Sequence, residues 1–315
     1  MGGELGSLAA SMLENTSWAG PILGIDIDPP RRRLRRSHFR LVDPTASATI
    51  TPIISEFDPQ VVLHLAVYEP EARASGSQAD RWTPAIAEAV FTACAGFTDL
   101  RSIVVRSGIE VYGRPADVPD VHASALPTSS FGRQLLHVES VARRAGATAR
   151  VPTTVARLAP VIGPHVPSPL GRLLRMPIVP GPLFGDPRFT VLSDHDAAAA
   201  LVAAAGCHFD GTLNIAAAGS ISLRQTLAVG RRLRAPIVGP QWRVARPLAH
   251  LLGAPVPDHV VEVLTRGRLA EPSDVVTHLG IDRPQSVDQV IAALYSWQPI
   301  TRIYPHGSPN PAVSR

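Results

Sequence analysis

Short apolar runs alternating with longer helical repeats constrain this chain more than any other feature. The runs fall at 21–26, 38–43, 61–66, 101–106 and 153–158. Between them, apolar residues recur at helical spacing, as in Leu5, Leu8, Ala9, Met12 and Leu13. Helices are expected over 80–94 and 131–145 by the same rule. A strand followed by a crossover helix returns the chain to the same end of the sheet, so successive strands run parallel. The pattern predicts an α/β fold, a doubly wound parallel sheet covered by helices on both faces.

Composition narrows the class. The 315 residues are 45% hydrophobic and 18% charged, which suits a globular chain with one large core or two modest ones. Two cysteines, Cys94 and Cys207, supply neither a disulfide framework nor a zinc site, and they suit a reduced, cytoplasmic setting. No apolar run approaches the roughly 20 residues a membrane span needs, and no charged start followed by an apolar core marks a signal peptide. All 30 basic side chains are arginine, and lysine is absent. A P-loop lysine, a Schiff-base lysine and a Y-x-x-x-K dyad are therefore excluded. The Arg31–Arg36 stretch reads as a solvated loop, and 5% aromatic residues give no stacking platform for nucleic acid. No Cys/His metal cluster and no G-x-S-x-G elbow occur.

Several motifs stand in a telling order. Residues 2–6 read G-G-E-L-G and open the first helix. Asp26 closes the run at 21–26, and H-L-A occupies 64–66. Arg101 to Gly113 reads R-S-I-V-V-R-S-G-I-E-V-Y-G, with S-S-F-G-R-Q-L-L-H-V-E at 129–139. R-L-A-P-V-I-G-P follows at 157–164, V-L-S-D-H-D-A-A at 191–198, Gly267-Arg268 with Asp274, and L-G-I-D-R-P at 279–284. Together these resemble the NAD-dependent epimerase/dehydratase family, the extended short-chain dehydrogenases/reductases. The nearest likeness is to actinobacterial proteins labelled UDP-glucose 4-epimerase.

The resemblance implies a Rossmann-like domain over 1–160, with 188–216 returning to it. A smaller, mostly helical substrate part spans 161–187 and 217–298, and 299–315 is expected to be a flexible tail. It implies NAD as cofactor, held by Gly3, Leu5, Gly6, Asp26, Ile27, Asp43, Leu65 and Ala66. An acid such as Asp26 binds the ribose hydroxyls and repels a 2′-phosphate, while the arginines behind it keep NADP open. The first glycine of the family's T-G-x-x-G-x-x-G would precede Met1, and the first, central strand is missing from the chain; a start upstream of Met1 is expected. The implied partners are a nucleotide sugar and a second copy, through a helix 131–145 interface; nucleic acid and membrane are not implied.

The family's chemistry is transient hydride transfer at a nucleotide-sugar carbinol. Tyr is the acid/base, Lys lowers its pKa, and Ser or Thr orients the substrate oxygen. Those positions here are Phe131, Leu135 and Gly108. A phenol titrating near 10 needs a positive neighbour to act at neutral pH, and neither phenol nor neighbour remains. Tyr112, Glu139 and His64 are expected to be structural, and Glu110 and Arg133 are expected at the surface. Two functions follow: a catalytically impaired member of this family, or a non-catalytic dinucleotide-binding sensor or scaffold.

Overall fold

The computed structural model describes residues 1–297, apart from 44–45, 95 and 98. The expected tail lies outside the described residues. Four parallel strands form the main sheet: β3 (Val61–His64), β4 (Ser102–Gly108), β5 (Thr153–Leu158) and β6 (Gly211–Ile215), in the order β6-β5-β4-β3. A separate parallel pair joins β1 (Ile22–Asp26) to β2 (Ser37–Leu41). Both faces of β4 and β5 are buried, Arg106 alone being partly exposed, as in a sheet covered on both sides. The strand β4 runs two residues past its expected end, because Ser107 and Gly108 still pair with Arg157 and Leu158.

The helices that frame the site are α1 (Glu4–Glu14), α2 (Ile50–Phe57), α3 (Gly76–Cys94), α4 (Ser130–Ala149), α5 (Asp194–Cys207) and α6 (Asp258–Arg266). At the start of α4, the Ser129 hydroxyl accepts from Gly132 N at 3.1 Å and satisfies one orphan donor of the first turn. That helix extends four residues beyond the expected 145 and stops at Arg150, which takes a left-handed φ of 58°. The sequence suggests Asp194 as the cap of α5. Ser193 is the cap instead, accepting from Asp196 N at 3.0 Å, and Asp194 is the first helical residue. A hydroxyl one residue earlier reaches the free N–H with the extended backbone a cap requires. The alanines 197, 198, 204 and 205 of α5 are buried, as are Ala9 and Ala10 of α1, and the two helices pack together.

Between β1 and β3 the sheet is interrupted. A cavity of about 710 Å³ lies there, bounded by both strands, by Leu5, Ala9 and Leu13 of α1, and by Ile54, Ile86 and Val90 of α2 and α3. The gap falls where the central strand of a doubly wound sheet would lie. A second apolar core, including Leu173, Val179, Phe189, Leu227, Val263 and Ile291, gathers residues from beyond β5. From that side, α6 packs on α4 and brings His259 against Phe131.

Candidate active site

The glycines 3 and 6 open α1, where the first-turn N–H groups have no partner within the helix. A methyl on Gly3 would fall 2.6 Å from Arg73 Nη1, and one on Gly6 would fall 2.9 Å from the Met1 backbone. Across from them, Asp26 closes β1. Its Oδ2 accepts from the Met1 ammonium at 3.0 Å and from Gly2 N at 2.7 Å. Its Oδ1 accepts from Ile27 N and Arg73, both at 2.8 Å. Burial works to raise the Asp26 pKa, but the Met1 ammonium and Arg73 together outweigh it and hold the carboxyl far below the usual range. Arg73 also bonds Asp28 at 2.6 Å, while its buried Nε has no partner.

Of the residues expected to hold a dinucleotide, Gly3, Leu5, Gly6, Asp26, Leu65 and Ala66 line the 710 Å³ cavity. Ile27 and Asp43 are not brought to it. Ile27 turns into the apolar cluster of Val42, Ile50 and Tyr68, and Asp43 is exposed beyond β2. His64, at the end of β3, is buried with its ring 5.0 Å from that of Phe91.

Gly108, Phe131 and Leu135, expected at the family's catalytic positions, come together at one place. Phe131 and Leu135 share one buried face of α4, as a four-residue spacing dictates. Leu135 is only 1% exposed and sits in the main apolar core. Gly108 ends β4, and a methyl there would fall 2.3 Å from Glu110 Oε2 and 3.1 Å from Leu135 Cδ1. The carboxylate of Glu110 therefore fills the space a Ser or Thr side chain would use. This corrects the expectation that Glu110 lies at the surface: it is 5% exposed, because the turn Ile109–Tyr112 folds back beneath α4. Burial raises the Glu110 pKa, against the pull of Arg268 and His259.

Other titratable groups nearby are committed elsewhere. The Tyr112 hydroxyl donates to Asn214 Oδ1 at 2.7 Å and accepts from Arg157 at 3.0 Å. Glu139 takes two bonds from Arg157, at 2.9 and 2.7 Å, and one from Ser107 at 2.6 Å. His137 lies on the outer face of α4 beside Glu88, at 3.1 Å. Arg133 is exposed and bonds Thr128 O. The outward face of α4 presents Arg133, His137, Arg143 and Arg144, so an interface there would be polar.

A second cavity, of about 640 Å³, opens beside Phe131 and is lined by Asp80, Ser129, His250, Asp258 and His259. The His259 ring lies 4.8 Å from the Phe131 ring, and its Nε2 is 3.1 Å from Glu69 Oε1. Arg268 bonds Glu262 at 2.7 Å and Gly113 O at 2.8 Å. The sequence reading assigned no role to Glu69, Arg73 or His259. Glu69 and His259 stand 190 residues apart, belong to no motif, and meet only because the fold brings α6 against the segment after β3. Among the described residues, no group of three or more His, Cys, Asp or Glu could hold a metal ion, and no helix is long and apolar enough to cross a membrane.

The sequence profile of the NAD dependent epimerase/dehydratase family matches residues 2–177. The chain belongs to that family. Two uncharacterized proteins, Rv0501 of Mycobacterium tuberculosis and Mb0513 of Mycobacterium bovis, are each 29% identical to it over 246 residues. The match covers 75% of this chain and 65% of each relative, so the chain spans about two thirds of their length. Among solved structures, the UDP-glucuronic acid 4-epimerase of Bacillus cereus, in complex with UDP-glucuronic acid and NAD, superposes with a TM-score of 0.71. It is 17% identical, over 94% of this chain and 96% of that one. The UDP-glucose 4-epimerase of Brucella ovis, in complex with NAD, gives 0.71 at 15% identity, over 94% and 97%. MoeE5, in complex with UDP-glucose and NAD, gives 0.68 at 20% identity, over 94% and 95%. These likenesses establish the parallel α/β fold.

Proposed function

We propose that this protein binds NAD and a nucleotide sugar, and that the proton transfer its family runs through Ser or Thr, Tyr and Lys is impaired. One observation carries the proposal: the α1 N-terminus, Asp26 and the end of β3 line a single cavity. The residues fit a dinucleotide. The first-turn N–H groups of α1 and the guanidinium of Arg73, whose Nε lacks an acceptor, suit a diphosphate. Asp26 suits ribose hydroxyls, with Arg73 giving up its bond to that carboxylate. Bound NAD supplies a hydride acceptor. The similar structures in complex with NAD and with UDP-glucose or UDP-glucuronic acid support the same ligands here.

Proton handling differs. Phe131 has no hydroxyl, Leu135 no charge and Gly108 no side chain, so none can orient or deprotonate a carbinol. Those empty positions also favour a second reading, a non-catalytic dinucleotide sensor or scaffold. Calorimetric titration with NAD, NADP and UDP-glucose tests the proposal. We expect NAD to bind and UDP-glucose to bind the NAD-loaded protein; folded protein giving no heat with either dinucleotide refutes it.

A further inference from the structure

We propose, on the basis of that reading, that His259 and Glu69 form a surrogate acid/base dyad taking over the proton transfer that Phe131 cannot perform. The His259 ring lies against the ring that replaces the family's tyrosine. It is 4% exposed, so its surroundings are largely desolvated. Glu69 Oε1 accepts at Nε2, 3.1 Å away. A carboxylate there holds the proton of the neutral ring on Nε2 and leaves Nδ1 as the basic nitrogen. No protein group bonds Nδ1 among the described residues.

The position of the pair matters as much as its geometry. Glu69 lines the cavity that holds Gly3, Asp26 and Ala66. His259 lines the second cavity, together with Phe131. The dyad thus stands where a dinucleotide in the first cavity and a sugar in the second would meet. Tyr112, His137 and Glu139 are bonded elsewhere, as described above. Arg106 faces both Glu69 and Glu110, Arg172 faces Glu69, and Asp80, His250 and Asp258 line the second cavity with His259, while burial favours the neutral form of Glu110.

The balance is simple. A carbinol oxidised here loses its C–H as a hydride to the nicotinamide dinucleotide and its O–H proton to His259 Nδ1. Glu69 offsets the charge of the imidazolium that forms. The reverse step returns proton and hydride to the carbonyl. The competing explanation is a structural ion pair tying α6 to the segment after β3, and the test must separate the two.

NAD-loaded protein is mixed with UDP-glucose, and reduction is followed by nicotinamide absorbance. Replacing His259 by Ala should slow reduction about 10²-fold, at the lower end of general acid/base contributions. Added imidazole should restore part of that loss, because the deletion opens ring-sized space beside the second cavity. In ligand-free protein, ¹⁵N NMR should show the His259 proton on Nε2, and Glu69→Gln should mix the tautomers. A loss that imidazole leaves unrepaired, an unchanged rate in His259→Ala, or no reduction by unmodified protein that binds both ligands overturns the dyad. If His259→Ala fails to fold, the tautomer measurement decides alone: a proton fixed on Nδ1, or a tautomer indifferent to Glu69→Gln, overturns it. Unmodified protein that binds neither ligand overturns the functional proposal itself, a separate result.

Discussion

The side chain of His64 makes a measurable demand on stability. It is 4% exposed, its Nε2 has no hydrogen-bond partner, and its ring packs on Phe91. Burial pushes its pKa down from 6.5 to about 4. In the unfolded chain the imidazole protonates at its ordinary value, whereas the folded protein resists until about pH 4. Between those values the unfolded state binds more protons, so stability falls as pH falls. Across the gap between 6.5 and about 4, at about 1.4 kcal/mol per pH unit, about 3 kcal/mol is lost between neutrality and pH 4, where the folded imidazole is already half protonated. His64→Leu keeps the volume roughly and removes the titration. It also removes a buried polar atom without a partner, so the variant should be at least as stable at pH 7. Urea unfolding followed by tryptophan fluorescence, at several pH values from 7 to 4, measures both proteins. Glu110 and Asp194 have raised pKa values, both chiefly from burial, and act with the opposite sign, so the informative quantity is the difference between the two curves. We expect that difference to grow by about 3 kcal/mol toward pH 4. A difference that stays flat would refute the assignment of His64 as a buried neutral imidazole.

Three further outcomes follow from the site. Glu110→Gln should raise the melting temperature at neutral pH: the folded state holds its proton above the ordinary carboxylate range, so its stabilising share is present in acid and lost as pH rises. A variant whose melting temperature drops at neutral pH while rising in acid would reverse that sign. Gly108→Ser should destabilise by about 1–3 kcal/mol, because the new side chain meets Glu110 Oε2 and Leu135 Cδ1. Adding Glu110→Ala should recover part of the loss, and strictly additive effects in urea melts would contradict the contact. Hydrogen exchange should find the amides of β1 and β3 that face the interrupting cavity unprotected, while those of β4 and β5 exchange slowly; uniform protection would mean the gap is closed in solution.

Much of the architecture was legible because strand and helix periods are local. The span 153–158 of β5 was read to the residue, with Pro152 and Pro160 standing just outside it. The strand β4 outran its apolar letters, because Ser107 and Gly108 owe their place to pairing with β5 rather than to hydrophobicity. Gly108 was read as an expected catalytic position from the V-Y-G register, and Phe131 and Leu135 from the aromatic at 131 and the four-residue spacing that follows it. What fills the space was not: a carboxylate two residues after Gly108 reads as surface until the turn at 109–112 buries it. The Arg73–Asp26 and His259–Glu69 contacts were invisible, because each joins segments that only the tertiary fold brings together.

Catalytic impairment is tested most directly by the single-turnover rate at which unmodified, NAD-loaded protein is reduced by UDP-glucose or UDP-glucuronic acid. Enzymes typically turn over near 10 s⁻¹, and loss of acid/base help lowers rates by about 10²–10⁴. We predict both ligands bound and a rate at least about 10²-fold below that typical value. A rate near 10 s⁻¹ with Gly108, Phe131 and Leu135 in place would contradict it.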